Sequence, residues 1–189
     1  MTLHITGDLT ADTLLTDSPF ALLTGMMLDQ QVTMEMAFAG PAKLTQRLGE
    51  LTPAKIAAIT PDELLAAFKL SPAVHRFPGS MAERLHSLSQ AVVTDWGGDA
   101  SALWMRGNPD GAEVYRRLRT LPGFGEQKSK IFIALLGKQY GFTGAGWREA
   151  AGHYGENGSE ISVADIHDEA SLARVREAKK AMKAAAKAK

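Results

Sequence analysis

The residues best suited to chemistry in this chain are Leu121-Pro122-Gly123-Phe124-Gly125. The two glycines can adopt backbone angles closed to other residues, and neither carries a Cβ. The N–H groups of such a turn can face outward beside the positive end of a following helix. Bare amides so placed form a small, uncharged cradle for an oxyanion such as a phosphate. Such a cradle reads no base, so its chemistry is that of holding nucleic-acid backbone. Arg116, Arg117, Arg119, Lys128, Lys130 and Lys138 cluster around it and can neutralise phosphates.

Other reactive side chains are less telling. Asp165 and Asp168 suggest a metal or acid–base site, but Asp168-Glu169 fits a helix start ahead of Ala170 to Lys187, where acids favour the helix dipole. Histidines 4, 75, 86, 153 and 167 show no paired metal spacing. No glycine-rich loop of the nucleotide-triphosphate type occurs, and no dinucleotide cofactor is expected.

These residues must be positioned by helices. Ala112 to Thr120 carries Ala112, Val114, Tyr115 and Leu118 near helical spacing, and Gly125 to Gly137 carries Ile131, Phe132, Ala134, Leu135 and Leu136. The turn therefore joins two short helices in a hairpin over about 111–137. Upstream, Ser18-Pro19 predicts a helix start, with the helix running to Leu28 or Asp29. A second helix is expected from near Gln31, interrupted or kinked at Gly40-Pro41 and ended by Gly49. Thr52-Pro53 opens a helix to Ile59, and Thr60-Pro61-Asp62-Glu63 opens one to Phe68 with a capping-box pattern. Leu70 to Gly79 reads as a connection, Ser80 to Trp96 as a long amphipathic helix, and Asp99 to Met105 as a short one. Gly141 to Gly158, with glycines at 141, 144, 146, 152, 155 and 158, reads as a loop or mobile lid around one helical turn at Trp147–Ala151. A basic helix is expected over about 169–189. No sustained strand alternation appears, so the fold class is all-α, a single domain over 1–189 with nine to eleven helices.

Size and composition agree with a globular domain holding a real core, 189 residues with 45% hydrophobic and 22% charged. Without cysteine there is no disulfide and no Cys-ligated zinc or iron–sulfur cluster. No leader-like start and no membrane-length apolar run is seen, so a cytoplasmic, nucleoid-associated protein without membrane contact is expected. The formal net charge is zero, which weighs against a whole-surface nucleic-acid binder. Charge is local instead: Ala178 to Lys189 holds five lysines and no acid, a solvated helix end or a phosphate-neutralising tail.

Leu121-Pro122-Gly123-Phe124-Gly125 followed by a helix resembles the helix–hairpin–helix of the DNA glycosylase superfamily, the HhH-GPD proteins of base excision repair. Leu22-Leu23-Thr24-Gly25-Met26-Met27-Leu28-Asp29-Gln30-Gln31-Val32 is similar to that family's early helix ending in a Gln loop that enters the duplex. The resemblance covers roughly Ser18 to Tyr140. It implies a two-lobed helical bundle with double-stranded DNA across the cleft, bound as a monomer. The hairpin amides of Gly123, Phe124, Gly125 and Gln127, supported by Lys128, would hold the backbone. Gln30 or Gln31 would fill the space of a flipped base. The carbonyls of Arg119, Leu121 and Phe124 would ligate K+ or Na+; no other cofactor is implied.

The chain departs from the family where catalysis is concerned. The second residue after Gly125 is Gln127, where strand-nicking members carry lysine, and Lys128 lies a further 100° around the helix. Strand nicking is therefore not expected. Eighteen residues on, where the family carries its catalytic Asp, stands Ala145. Glu149, Asp165 and Asp29 remain as candidates for the carboxylate that base hydrolysis requires. The resemblance thus implies a monofunctional DNA N-glycosylase. The alternatives are a non-catalytic relative that recognises damaged or bent duplex, or a helical interaction protein that has lost DNA binding. Trp147, between glycines, is the better candidate for an exposed stacking aromatic; Trp104 belongs to the core, and Tyr154 could also stack.

Overall fold

The computed structural model describes residues 2–187, which form eleven α-helices and two short 3-10 turns without any strand. The helices are α1 (Leu9–Asp17), α2 (Pro19–Leu28), α3 (Met34–Leu48), α4 (Pro53–Ala58), α5 (Pro61–Lys69), α6 (Pro78–Trp96), α7 (Ala102–Met105), α8 (Gly111–Arg119), α9 (Glu126–Gln139), α10 (Trp147–Ala151) and α11 (Glu169–Lys187). The 3-10 turns span Gly152–Gly155 and Val163–Asp165. Ala188 and Lys189, the end of the expected basic helix, lie outside the described residues.

The all-α expectation holds. α2 is apolar on every side, and its residues Phe20 to Leu28 are all buried, as a helix at the centre of a bundle must be. Ser18 accepts the Ala21 N–H and Pro19 occupies the first helical position, the start its sequence signals. α3 packs on α2 and α5, while α4 and α5 pack on α6. A second group is built from α8, α9, α10 and the 3-10 turns, gathered around α9. α2 touches both α6 and α9, so the helix leading into the Gln loop is the joint between the groups. Thr60 and Glu63 close the predicted capping box.

Three expectations are corrected. The second helix begins at Met34, capped by Thr33, because Gln31 sits at φ +58° and cannot continue a right-handed helix. It then passes through Pro41 to Leu48 without interruption. Gly40 has no Cβ there, and one would come within 2.5 Å of Leu28, so α2 and α3 approach closely and their packing keeps the helix through the proline. The glycine-rich stretch 141–158 keeps its expected helical turn, α10 at Trp147–Ala151, but that turn is packed against the hairpin helices and is no free lid. A Cβ on Gly137 would meet the Trp147 ring at 2.4 Å, and one on Gly111 the Trp147 Cα at 2.4 Å. Trp147 is accordingly half-buried, with Arg148 over its ring at 4.4 Å. α1, capped by Asp8, is an element the sequence reading did not single out.

Candidate nucleic-acid interface

The hairpin joins α8 to α9. Its turn is closed from within by the Leu121 N–H on the Leu118 carbonyl at 3.0 Å and the Phe124 N–H on the Leu121 carbonyl at 3.2 Å. Leu121 and Phe124 bury their side chains, Phe124 edge-on to Phe132. Gly123 takes φ +85°, and a Cβ there would come within 2.7 Å of Arg84. Gly125 is extended at φ −75° and starts α9 with no side-chain cap. The N–H groups of Gly123, Gly125, Glu126 and Gln127 donate to no group among the described residues, and 125 to 127 are exposed. Four amides thus stand unpartnered at, or just before, an uncapped helix start, the arrangement an oxyanion fits. Phe124 is the exception to the expected set, because its N–H is spent closing the turn.

Facing the hairpin is the loop after α2. Lys128 was expected to support the phosphate cradle; instead its Nζ reaches across to donate to the Met27 carbonyl at 2.6 Å. Burial pulls the Lys128 ammonium down to about 8, partly opposed by the charge of Asp29 and reinforced by that of Arg84. Arg84, from α6, donates to the Gln30 side-chain oxygen at 2.7 Å. His75, with no exposed surface, places Nε2 at 3.1 Å from both the Leu28 and Gln30 carbonyls, and its Nδ1 accepts the Phe77 N–H at 3.0 Å. Carbonyl partners on Nε2 and an amide donor on Nδ1 fix the neutral tautomer protonated on Nε2. Burial lowers the His75 pKa, against the pull of the two carbonyls. Gln30 is therefore held, whereas Gln31 is exposed at the loop tip in a left-handed conformation.

Loop and hairpin share a cleft of about 910 Å³, lined among others by Asp29, Gln30, Gln31, Gln127, Lys128 and Tyr154, with part of α11 along one side. Gln127 donates to the Tyr154 hydroxyl at 2.9 Å. Tyr154 is otherwise buried, which limits it as a stacking surface. Trp104 is in the core, edge-on to Phe132 and Tyr140.

Of the three candidate carboxylates, Asp29 alone lines this cleft. Its side chain is 11% exposed and lies 3.4 Å from Lys179. Glu149 lines a separate hollow with Asp110, Tyr115 and Lys130. Asp165 is buried. One of its oxygens takes Lys138 at 2.6 Å and the Ser159 hydroxyl at 3.0 Å, and the other takes the N–H groups of Ile161 and Ser162. Such saturation marks a structural anchor. Ala145 uses its carbonyl to accept the Gly111 N–H at 2.8 Å, pinning the start of the hairpin. Arg84 and His75 carried no sequence signal, since each acts on the loop from 45 or more residues away. Among the described residues no three His, Asp or Glu side chains gather as metal ligands, and no helix is long and apolar enough to cross a membrane.

The family model described as HhH-GPD superfamily base excision DNA repair protein matches residues 24–189. No curated protein and no solved structure matches the chain.

Proposed function

We propose that this chain, which belongs to the HhH-GPD superfamily of base excision DNA repair proteins, is a monofunctional DNA N-glycosylase that works on a displaced base of duplex DNA. The observation that carries the reading is the shared cleft. The unpartnered amide of Gln127 at the hairpin's end, the exposed loop-tip Gln31 and two carboxylates, Asp29 and the Arg176-paired Glu35, border the same space. The amides of Gly123, Gly125, Glu126 and Gln127 take the phosphate. Gln31, free where Gln30 is tied to Arg84, enters the stack behind the extruded nucleotide. The carbonyls of Arg119, Leu121 and Phe124 offer hard oxygens suited to K+ or Na+, and the Leu121 oxygen keeps a lone pair beyond its bond to the Phe124 N–H.

Asp29 is the residue assigned to the reaction. The glycosidic C–N bond breaks with its electron pair leaving on the base. The sugar's developing positive charge is stabilised by the carboxylate. Water then adds its oxygen to C1′ and passes a proton to Asp29 and on to solvent. No lysine occupies the Schiff-base position, and Lys128 is engaged with Met27.

The test is a panel of duplexes, each with one damaged or mismatched base, assayed for alkali-labile sites. Asp29→Asn is expected to slow base release by about 10² or more while leaving duplex affinity in place. Release unchanged in that variant removes Asp29 from the mechanism. A second reading, a non-catalytic relative that recognises altered duplex, is favoured by Ala145 at the family's acid position. It is supported if the chain binds duplex with salt dependence, loses affinity on Gly125→Ala, and releases no base from any member of the panel. Gly125 suits this probe because a Cβ there meets nothing within 4 Å, so a loss of binding reports on the cradle alone.

A further inference from the structure

The basic end of the chain is oriented against the usual rule. α11 is anchored at its start, where Leu172 and Val175 are buried and Asp168 accepts the Ser171 N–H at 2.7 Å. Beyond Val175 no residue through Ala186 is buried. A helix so solvated ordinarily turns its cations to water and its alanines to the protein. Here Arg176, Lys179, Lys180 and Lys183 line the cleft, spaced i, i+3, i+4 and i+7 on one face. Met182, Ala184 and Ala186 line it beside them, whereas Ala181 and Ala185, roughly opposite, do not. Arg176 pairs with Glu35, and Lys179 with Asp29 at 3.4 Å. These pairs set the helix beside the Gln loop. Lys180 and Lys183 meet no acid among the described residues, so two cations beyond those needed for docking face the cleft.

Two unmatched ammonium groups on the wall of the cleft that Gln127 of the hairpin also lines call for an anionic occupant. We infer that α11 forms a third wall of the interface, with Lys180 and Lys183 gripping phosphodiester oxygens of the strand whose nucleotide enters the cleft. The inference rests on the DNA-binding reading above and adds to it which residues hold the strand on the side opposite the hairpin. It also reconciles zero net charge with a polyanionic partner. The cations stand along the path of the strand rather than over the whole surface, so attraction is confined to one track.

The experiment measures affinity of the full chain for a fluorescent duplex carrying a tetrahydrofuran abasic analogue across a range of salt concentrations. The Lys180→Ala/Lys183→Ala double variant leaves both docking pairs in place. It is expected to keep the thermal melt of the unaltered chain and to reduce the slope of log K against log salt by about 2, about 1 for each phosphate contact. The Lys180→Arg/Lys183→Arg variant is expected to retain the slope. An unchanged slope in the alanine variant overturns the inference. Tighter binding overturns it too, because α11 would then be a strap that blocks the cleft. Absence of duplex binding by the unaltered chain removes the DNA reading itself, and is seen before any variant is compared.

Discussion

Lys128 offers the most quantitative test of the cleft. Its ammonium lies at the start of α9, where the helix dipole disfavours a cation, and reaches the last turn of α2, where the dipole favours one. Burial outweighs the second effect and lowers the group to about 8 from its ordinary 10.5. In the unfolded chain the lysine keeps its proton up to about 10.5, whereas the folded chain releases it from about 8. Between those values the unfolded state binds more protons, so stability must rise with pH across that window. At 1.36 kcal/mol per unit, the difference of about 2.5 units corresponds to roughly 3 kcal/mol. Lys128→Met removes the titrating group. Urea unfolding of both proteins, measured at steps between pH 8 and 10.5, gives the difference curve in which other titrations cancel. The stability of the native protein relative to the variant is expected to climb by roughly 3 kcal/mol over that range. A flat difference curve would show that the amine is solvated, and the assignment of Lys128 to the cleft floor would be refuted.

Three further outcomes follow from the geometry. Gln31→Gly should raise stability by about 1 kcal/mol in thermal unfolding, because a left-handed residue is relieved, while weakening preference for abasic over intact duplex in competition binding. For His75, held neutral, the lowered pKa means that its stabilisation is complete above the unfolded value of 6.5 and declines as pH falls below it. In His75→Phe that acid-side decline, followed by circular dichroism, should be reduced. Lys138→Met strands the buried Asp165 carboxylate and should lower stability by about 3–5 kcal/mol in urea titration; Asp165→Asn should show a melting defect of its own, which a purely catalytic acid would not.

The fold was legible wherever sequence and packing asked for the same thing. Ser18-Pro19, Thr60 with Glu63, and the apolar spacing of α9 each combine a local start signal with a buried face, and each element formed as read. Reading failed where tertiary contact overrode local preference. Pro41 argued for a break, but the close approach of α2 and α3 at Gly40 kept the helix whole. The glycines of 141–158 argued for mobility, yet Gly144, against the Phe142 ring and the Pro109 carbonyl, and Gly155, against the Arg148 backbone, have no room for a Cβ. In the site, the turn amides were foreseeable because turn chemistry is local. That Asp29 faces the cleft while Glu149 and Asp165 do not was beyond sequence, because all three are acids near helix ends and only the assembled lobes distinguish them.

The joint at the end of α2 shows how the site is held. A helix C-terminus leaves carbonyls without partners inside the helix. Here the Met27 carbonyl is taken by Lys128 from α9, and the Leu28 carbonyl by His75 from the segment before α6. The loop's next groups, the Gln30 carbonyl and side-chain oxygen, are taken by His75 and by Arg84 from α6. Three side chains drawn from both groups of helices therefore converge on three residues of the loop start, Met27, Leu28 and Gln30. Each bond turns a polar group of the loop inward and fixes the loop against the hairpin, so little ordering is left to occur when a strand arrives. The groups left facing outward are Gln31 at the tip and the amides of the hairpin, and the same network that conceals the rest sets the separation between them. On the proposed function, glutamine insertion and phosphate capture would be coupled through Lys128 and Arg84. Loosening either residue should misplace the loop against a hairpin that is itself intact.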